Sequence, residues 1–188
     1  MPSSNTRKTT SEASHDSRNF RQALGCFATG ITVVTARNTE GKPFGVTVSS
    51  FNSVSLEPPL VLWSLSLNSP NLELFRHARY YAINVLAADQ QSLSDNFAAR
   101  QSDRFAGVPT RNGLGEAPLL EGCCASFECS NEAHYPGGDH LIFIGRVERF
   151  AQGSAPLPLV FHNARYRTLT ELVKPPLATE FTTRKTKE

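Results

Sequence analysis

Short runs rich in β-branched and aromatic residues, each soon cut off by turn residues, constrain this chain more than any other feature. Residues 31–36 (ITVVTA) read as a strand, and 38–42, with Gly41, as the turn that pairs it with a segment around 46–50. Residues 60–67 (LVLWSLSL) place Val61, Trp63 and Leu65 on one face and Leu60, Leu62, Ser64 and Ser66 on the other. Further strands are predicted over 80–86, 124–133 and 141–150, the last two joined by 134–140, with a short closing pair at 159–162 and 165–169. Helical spacing is confined to 19–27 (Phe20, Ala23, Leu24, Phe27), 71–78 and 90–99, where Leu93 and Phe97 face the core. Gly30 reads as the end of the first helix. This pattern predicts a mainly β fold, an antiparallel barrel with a few peripheral helices, rather than a parallel nucleotide-binding sheet. Residues 100–121, with Gly107, Pro109, Gly113, Gly115 and Pro118, read as a mostly irregular excursion of the kind that serves a site.

At 188 residues the chain suits one domain, expected over 19–170, between a disordered tail at 1–18 and a second tail at 171–188. A formal net charge of +2 gives no electrostatic case for nucleic acid. No apolar run is long enough for a transmembrane helix, and no apolar segment near the N-terminus suggests export, so no membrane partner and a cytoplasmic location are expected. Cys26, Cys123, Cys124 and Cys129 contain no C-x-x-C spacing, and His77, His134 and His162 are scattered, so reduced thiols and no metal are expected. G-x-S-x-G, P-loop and G-x-G-x-x-G motifs are all absent from the sequence.

Four segments could carry chemistry. Residues 45–59 (GVTVSSFNSVSLEPP) hold Thr47, Ser49, Ser50, Ser53 and Ser55; as one strand, Thr47, Ser49 and Phe51 face one way, Val48 and Ser50 the other. Those hydroxyls describe either a wet strand edge or room for a flat ligand against the backbone. Thr29 and Gly30 stand at the first helix-to-strand junction. Asn68, Ser69, Pro70 and Asn71 lead into a helix and serve either as caps or as a phosphate site. Gly137, Gly138, Asp139 and His140 make a tight turn, with His140 placed to line a cavity mouth and Asp139 to orient it or simply to close the turn.

Together, residues 20–36 (FRQALGCFATGITVVTA), 45–61 (GVTVSSFNSVSLEPPLV), 81–98 (YAINVLAADQQSLSDNFA) and 138–147 (GDHLIFIGRV) resemble the short-chain flavin reductase family, the NAD(P)H:flavin reductases that serve two-component monooxygenases. The resemblance covers roughly 20–169. It implies a Greek-key split β-barrel binding FMN or FAD, with NADH or NADPH as co-substrate. It also implies a homodimer with flavin sites near the subunit interface, a flavin-dependent monooxygenase partner, and direct hydride transfer from nicotinamide C4 to flavin N5. Carried onto this chain, the flavin contacts fall on Thr29, Gly30, Thr47, Val48, Ser49, Ser50, Ser53 and Ser55. The phosphate end falls near Asn68, Ser69 and Asn71, with Arg100 or Arg104 as charge partner. Phe97 would wall the ring site, His140 would position the nicotinamide, and Tyr166 would line the same mouth. The family often has Thr where Asn71 stands, which weakens the phosphate assignment. Competing readings are a non-catalytic flavin- or haem-binding carrier or sensor on the same barrel, a flavin-dependent oxidase, and a ligand-free interaction domain.

Overall fold

The computed structural model describes residues 17–99, 103–155 and 157–170. Helix α1 (Ser17–Gly25) precedes β1 (Thr29–Gly30), β2 (Thr32–Arg37), β3 (Pro43–Val48), β4 (Asn52–Leu56) and β5 (Pro59–Ser66). Then come α2 (Leu72–His77), β6 (Tyr80–Val85), α3 (Gln91–Ala98), β7 (Thr110–Asn112), a 3-10 turn (Leu114–Glu116) and β8 (Pro118–Leu120). The long pair β9 (Ala125–Gly137) and β10 (His140–Gln152) follows, and β11 (Val160–His162) and β12 (Arg165–Arg167) close the chain.

Seven strands form one antiparallel sheet in the order β3-β2-β6-β9-β10-β5-β4. Its two edge strands are consecutive in sequence, joined only by residues 49–51. From Val48 to Asn52 the chain reaches at most about 14 Å. In a flat sheet six gaps of ~4.8 Å would separate those edges by about 29 Å. The sheet therefore has to roll up, and this short crossing makes it a barrel. Ser50 pins the crossing: its hydroxyl accepts from the Ser64 N–H at 2.9 Å and donates to the Ser64 carbonyl at 3.2 Å.

Three sequence expectations are corrected here. Residues 45–59 are not one strand, because the chain leaves β3 after Val48 and restarts as β4 on the far edge. Gly30 does not end the first helix, which stops at Gly25; Gly30 instead pairs with Val160 in a small sheet of order β1-β11-β12. The β9–β10 connection is not a loop over 134–140 but a two-residue turn, Gly138 and Asp139, with Gly137 opposite His140. Gly138 takes φ 67°, which a side chain would oppose.

Alternation in β5 is as predicted: Val61, Trp63 and Leu65 are buried, their neighbours partly exposed. Trp63 stacks on Phe143 at 4.3 Å and 10° and meets Phe75 and Tyr81 edge-on, forming the barrel's centre. A second core beneath α3 gathers Ile31, Val33, Leu86, Phe97, Leu120 and Leu159. All four cysteines are free thiols. Burial pushes the Cys123 and Cys129 thiols up to about 12. Thiolate, not thiol, is the reactive form, so these two should resist a thiol reagent at neutral pH until denaturant is added, when all four react. Counting labelled thiols by mass spectrometry checks this; rapid labelling of Cys129 in the folded protein would contradict it.

Candidate flavin site

A cleft of about 1220 Å³ opens where the start of β3, the run into α2 and the loop after α3 converge. Its centre is a backbone atom. The Gly45 carbonyl accepts from Asn71 Nδ2 at 3.1 Å and from Arg104 Nη1 at 2.7 Å. Arg104 Nε is buried and has no partner among the described residues. Burial also lowers the Arg104 pKa. A partly desolvated guanidinium with a spare donor, and no carboxylate partner among the described residues, recovers hydration loss when an anion arrives.

The loop holding Arg104 is braced from both sides. Asp103 Oδ1 accepts the N–H groups of Phe105 and Ala106 at 3.1 Å each, and Asn96 of α3 donates to the Arg104 carbonyl at 2.6 Å. Under β3, the Phe97 ring lies so close to Gly45 that an added Cβ would sit 3.0 Å from both the ring and the Val34 carbonyl. Glycine is what lets β3 approach α3 here. Phe97 is fully buried and makes an edge-on contact with Phe105 at 4.9 Å. Its side chain is thus the floor beneath β3 and offers no surface as a ring wall, because α3 turns it inward.

Asn68, Asn71 and Arg104 from the sequence reading meet at this cleft. Ser69 is spent locally, its hydroxyl accepting the Asn71 N–H at 3.3 Å, and α2 has no side-chain cap. Thr47 joins a second cluster. Its hydroxyl donates to the Ser94 carbonyl at 2.7 Å, Ser94 Oγ lies 2.9 Å from the Tyr166 hydroxyl, and Tyr166 donates to Asp95 Oδ1 at 2.8 Å. Burial, with the Asp95 carboxylate alongside, raises the Tyr166 phenol. Thr29 pairs with Phe161, and Phe161 with Tyr166, which puts Thr29 and Gly30 on the same small sheet. Val48 is buried, and Ser49 is exposed on the crossing. Ser53 and Ser55 lie on edge strand β4, and Ser50 serves the crossing already described. Arg100 lies outside the described residues.

His140 begins β10, opposite Ser66 of β5. Its Nδ1 is 2.7 Å from Asp139 Oδ1, and this contact holds the Asp139 carboxyl below the usual carboxylate range. The Leu67 N–H donates to the Asp139 carbonyl at 2.9 Å, tying the turn to the run that enters the cleft at Asn68. The His140 side chain is 43% exposed and open to a ligand.

The model of the flavin reductase like domain matches residues 24–170. The chain belongs to the flavin reductase family. It is 44% identical over 151 residues to the FMN reductase (NADH) SmoA of Agrobacterium fabrum, covering 80% of this chain and 85% of that protein. To the flavin-dependent monooxygenase reductase subunit HsaB of Rhodococcus jostii it is 39% identical, covering 80% and 77%. The match spans only 43% of a longer probable flavin reductase from Rhizobium meliloti. Among solved structures, the NADH:FAD oxidoreductase SgcE6 of Streptomyces globisporus, in complex with NAD and FAD fragments, superposes with a TM-score of 0.78 at 35% identity, covering 82% of this chain and 93% of that one. The architecture is thus the split β-barrel of flavin reductases. The residues present fit a flavin nucleotide: Arg104, with its orphaned Nε, would supply a cation and a donor for phosphate, and the Asn71 amide shares the Gly45 carbonyl with it.

Lys42, Pro43, Phe44, Gly45, Leu74 and Asp103 line the cleft and were missed in the sequence. Gly45 acts through its carbonyl, which leaves no side-chain signal. Asp103 could have been found, since Asp followed by two residues it caps is a local turn signature.

Proposed function

We propose that this protein is an NAD(P)H-dependent flavin reductase supplying reduced flavin to a monooxygenase, with its flavin held at the cleft around Arg104. The observation that carries the location is Arg104 at the cleft, its Nη1 on the Gly45 carbonyl and its buried Nε without a partner among the described residues. Arg104 and Asn71 hold the phosphate, and backbone groups of β3 and the exposed Ser49 face the rest of the cofactor. When bound, the flavin supplies the acceptor for the nicotinamide hydride and the carrier of its electrons onward. Tyr166, with its hydroxyl engaged by Ser94 and Asp95, fixes the closing hairpin against α3 and keeps the site's outer wall in place. His140, oriented by Asp139, positions the nicotinamide. Relatives named as monooxygenase reductase subunits support the oxygenase partner.

Initial rates of NADH and NADPH oxidation, crossed against FMN, FAD and riboflavin, test the reading; flavin-dependent consumption is expected, and none with any flavin would overturn it. The carrier or sensor alternative predicts binding without consumption. His140→Ala should raise the KM for nicotinamide about tenfold, the equivalent of one lost contact, with little change in flavin affinity. An unchanged KM would remove His140 from its role. Leu24, Phe27, Leu56 and Phe150 are exposed apolar residues, which supports a homodimer, checked by sedimentation. Four free thiols support work in the reducing cytoplasm.

A further inference from the structure

From the length of the cleft and the placing of its two cations we infer that this chain is built for a flavin dinucleotide, FAD, over the mononucleotide FMN. The inference rests on the flavin reading above and adds the choice that the relatives leave open, since one is named for FMN and a solved neighbour for FAD. The cleft does not stop at Arg104. It continues along the start of β3, past Phe44 and Pro43, to Lys42, Glu40 and Asn38 at the tip of the β2–β3 hairpin. Its volume of about 1220 Å³ exceeds the roughly 300–1,000 Å³ usual for a compact ligand. Gly45, whose carbonyl accepts from Arg104, and Lys42, just before β3, are three positions apart, about 10 Å along extended backbone, so the flexible Lys42 side chain reaches back toward Arg104 to meet the neighbouring phosphate.

One phosphate at Arg104 would leave the hairpin half of the cleft unused. A dinucleotide continues beyond its first phosphate into a second phosphate, a ribose and a purine. Lys42 gives that second phosphate a cation, and it has no ion-pair partner among the described residues. Glu40 beside it suits ribose hydroxyls, which donate well to a carboxylate. Pro43, Pro70 and Leu74 offer the apolar surface on which a purine rests. The hairpin tip is held in shape for this: Asn38 Oδ1 accepts the N–H groups of Glu40 at 3.1 Å and Lys42 at 2.8 Å, and Arg37 Nη1 donates to the Gly41 carbonyl at 2.7 Å.

Equilibrium titration of the full chain with oxidised FAD and FMN, followed by flavin fluorescence, tests this without turnover. FAD should bind at least about tenfold more tightly than FMN, the worth of one added charge-assisted contact. K42A should shrink that gap to under about threefold, K42R should preserve it, and ADP should displace FAD competitively. Equal or tighter FMN binding, or an FAD preference untouched by K42A, would overturn the inference while leaving the flavin site intact. Failure of both flavins to bind would overturn the flavin reading with it. Melting temperatures of the variants confirm that the exposed hairpin substitutions leave the fold whole.

Discussion

Trp63→Ala should lower the free energy of unfolding by about 3–5 kcal/mol, the range seen when a large buried aromatic is truncated. Trp63 is 0% exposed and touches three aromatic rings, stacking on Phe143 and meeting Phe75 and Tyr81 edge-on. None of these neighbours can collapse into the gap without tearing β5, β6, β10 or α2 from its partners. Trp63 Nε1 is buried and its nearest polar company is the Tyr81 hydroxyl, so the indole's worth lies chiefly in volume, with the N–H a smaller part. Trp63→Phe should therefore cost much less than Trp63→Ala, and the alanine variant should melt roughly 10 °C lower. Denaturant midpoints at matched slope decide it. Equal losses for the two variants would shift the importance from packing to the indole nitrogen.

Arg104→Met should weaken flavin phosphate binding by about 10- to 100-fold, because hydrogen bonds to a charged group are worth about 1.5–3 kcal/mol. Methionine keeps most of the stem's packing and removes the charge and every donor. Two losses coincide: the cation with its unpartnered Nε, and the Nη1 contact that helps hold the Gly45 carbonyl. Asn71 still reaches that carbonyl, so the local backbone should survive. The change should appear for FMN and FAD but hardly for riboflavin, which has no phosphate. Equal weakening of riboflavin would mean that Arg104 shapes the cleft and does not read the anion.

Much of the barrel was legible because period-two alternation is a local signal. Val61, Trp63 and Leu65 declare an inward face on their own, and Gly137 to His140 declare a turn. The crossing at 49–51 was not legible, because the alternation of small hydroxyls runs straight through it while the chain moves from one sheet edge to the other. That break is set by sheet closure, a property no window of residues contains. Gly30 misled for a related reason: a glycine near a helix end suggests a cap, yet the helix stops at Gly25, where Asn163 from the distant closing hairpin donates to the Gly25 carbonyl. At the site, Asn68, Asn71 and Arg104 were found by resemblance and by helix-entry chemistry. Ser94 was not: it sits inside α3 between Thr47 and Tyr166, and its role depends on partners 47 and 72 positions away.

The central claim is that a flavin held by this chain takes electrons from reduced nicotinamide, and anaerobic mixing of the flavin-loaded protein with NADH or NADPH tests it most directly. Rapid, saturable bleaching of the oxidised flavin absorbance is the expected result, faster than for the same flavin free in solution and slowed by His140→Ala at low nicotinamide. An oxidised spectrum that persists with both nicotinamides, or bleaching no faster than without protein, would contradict the account.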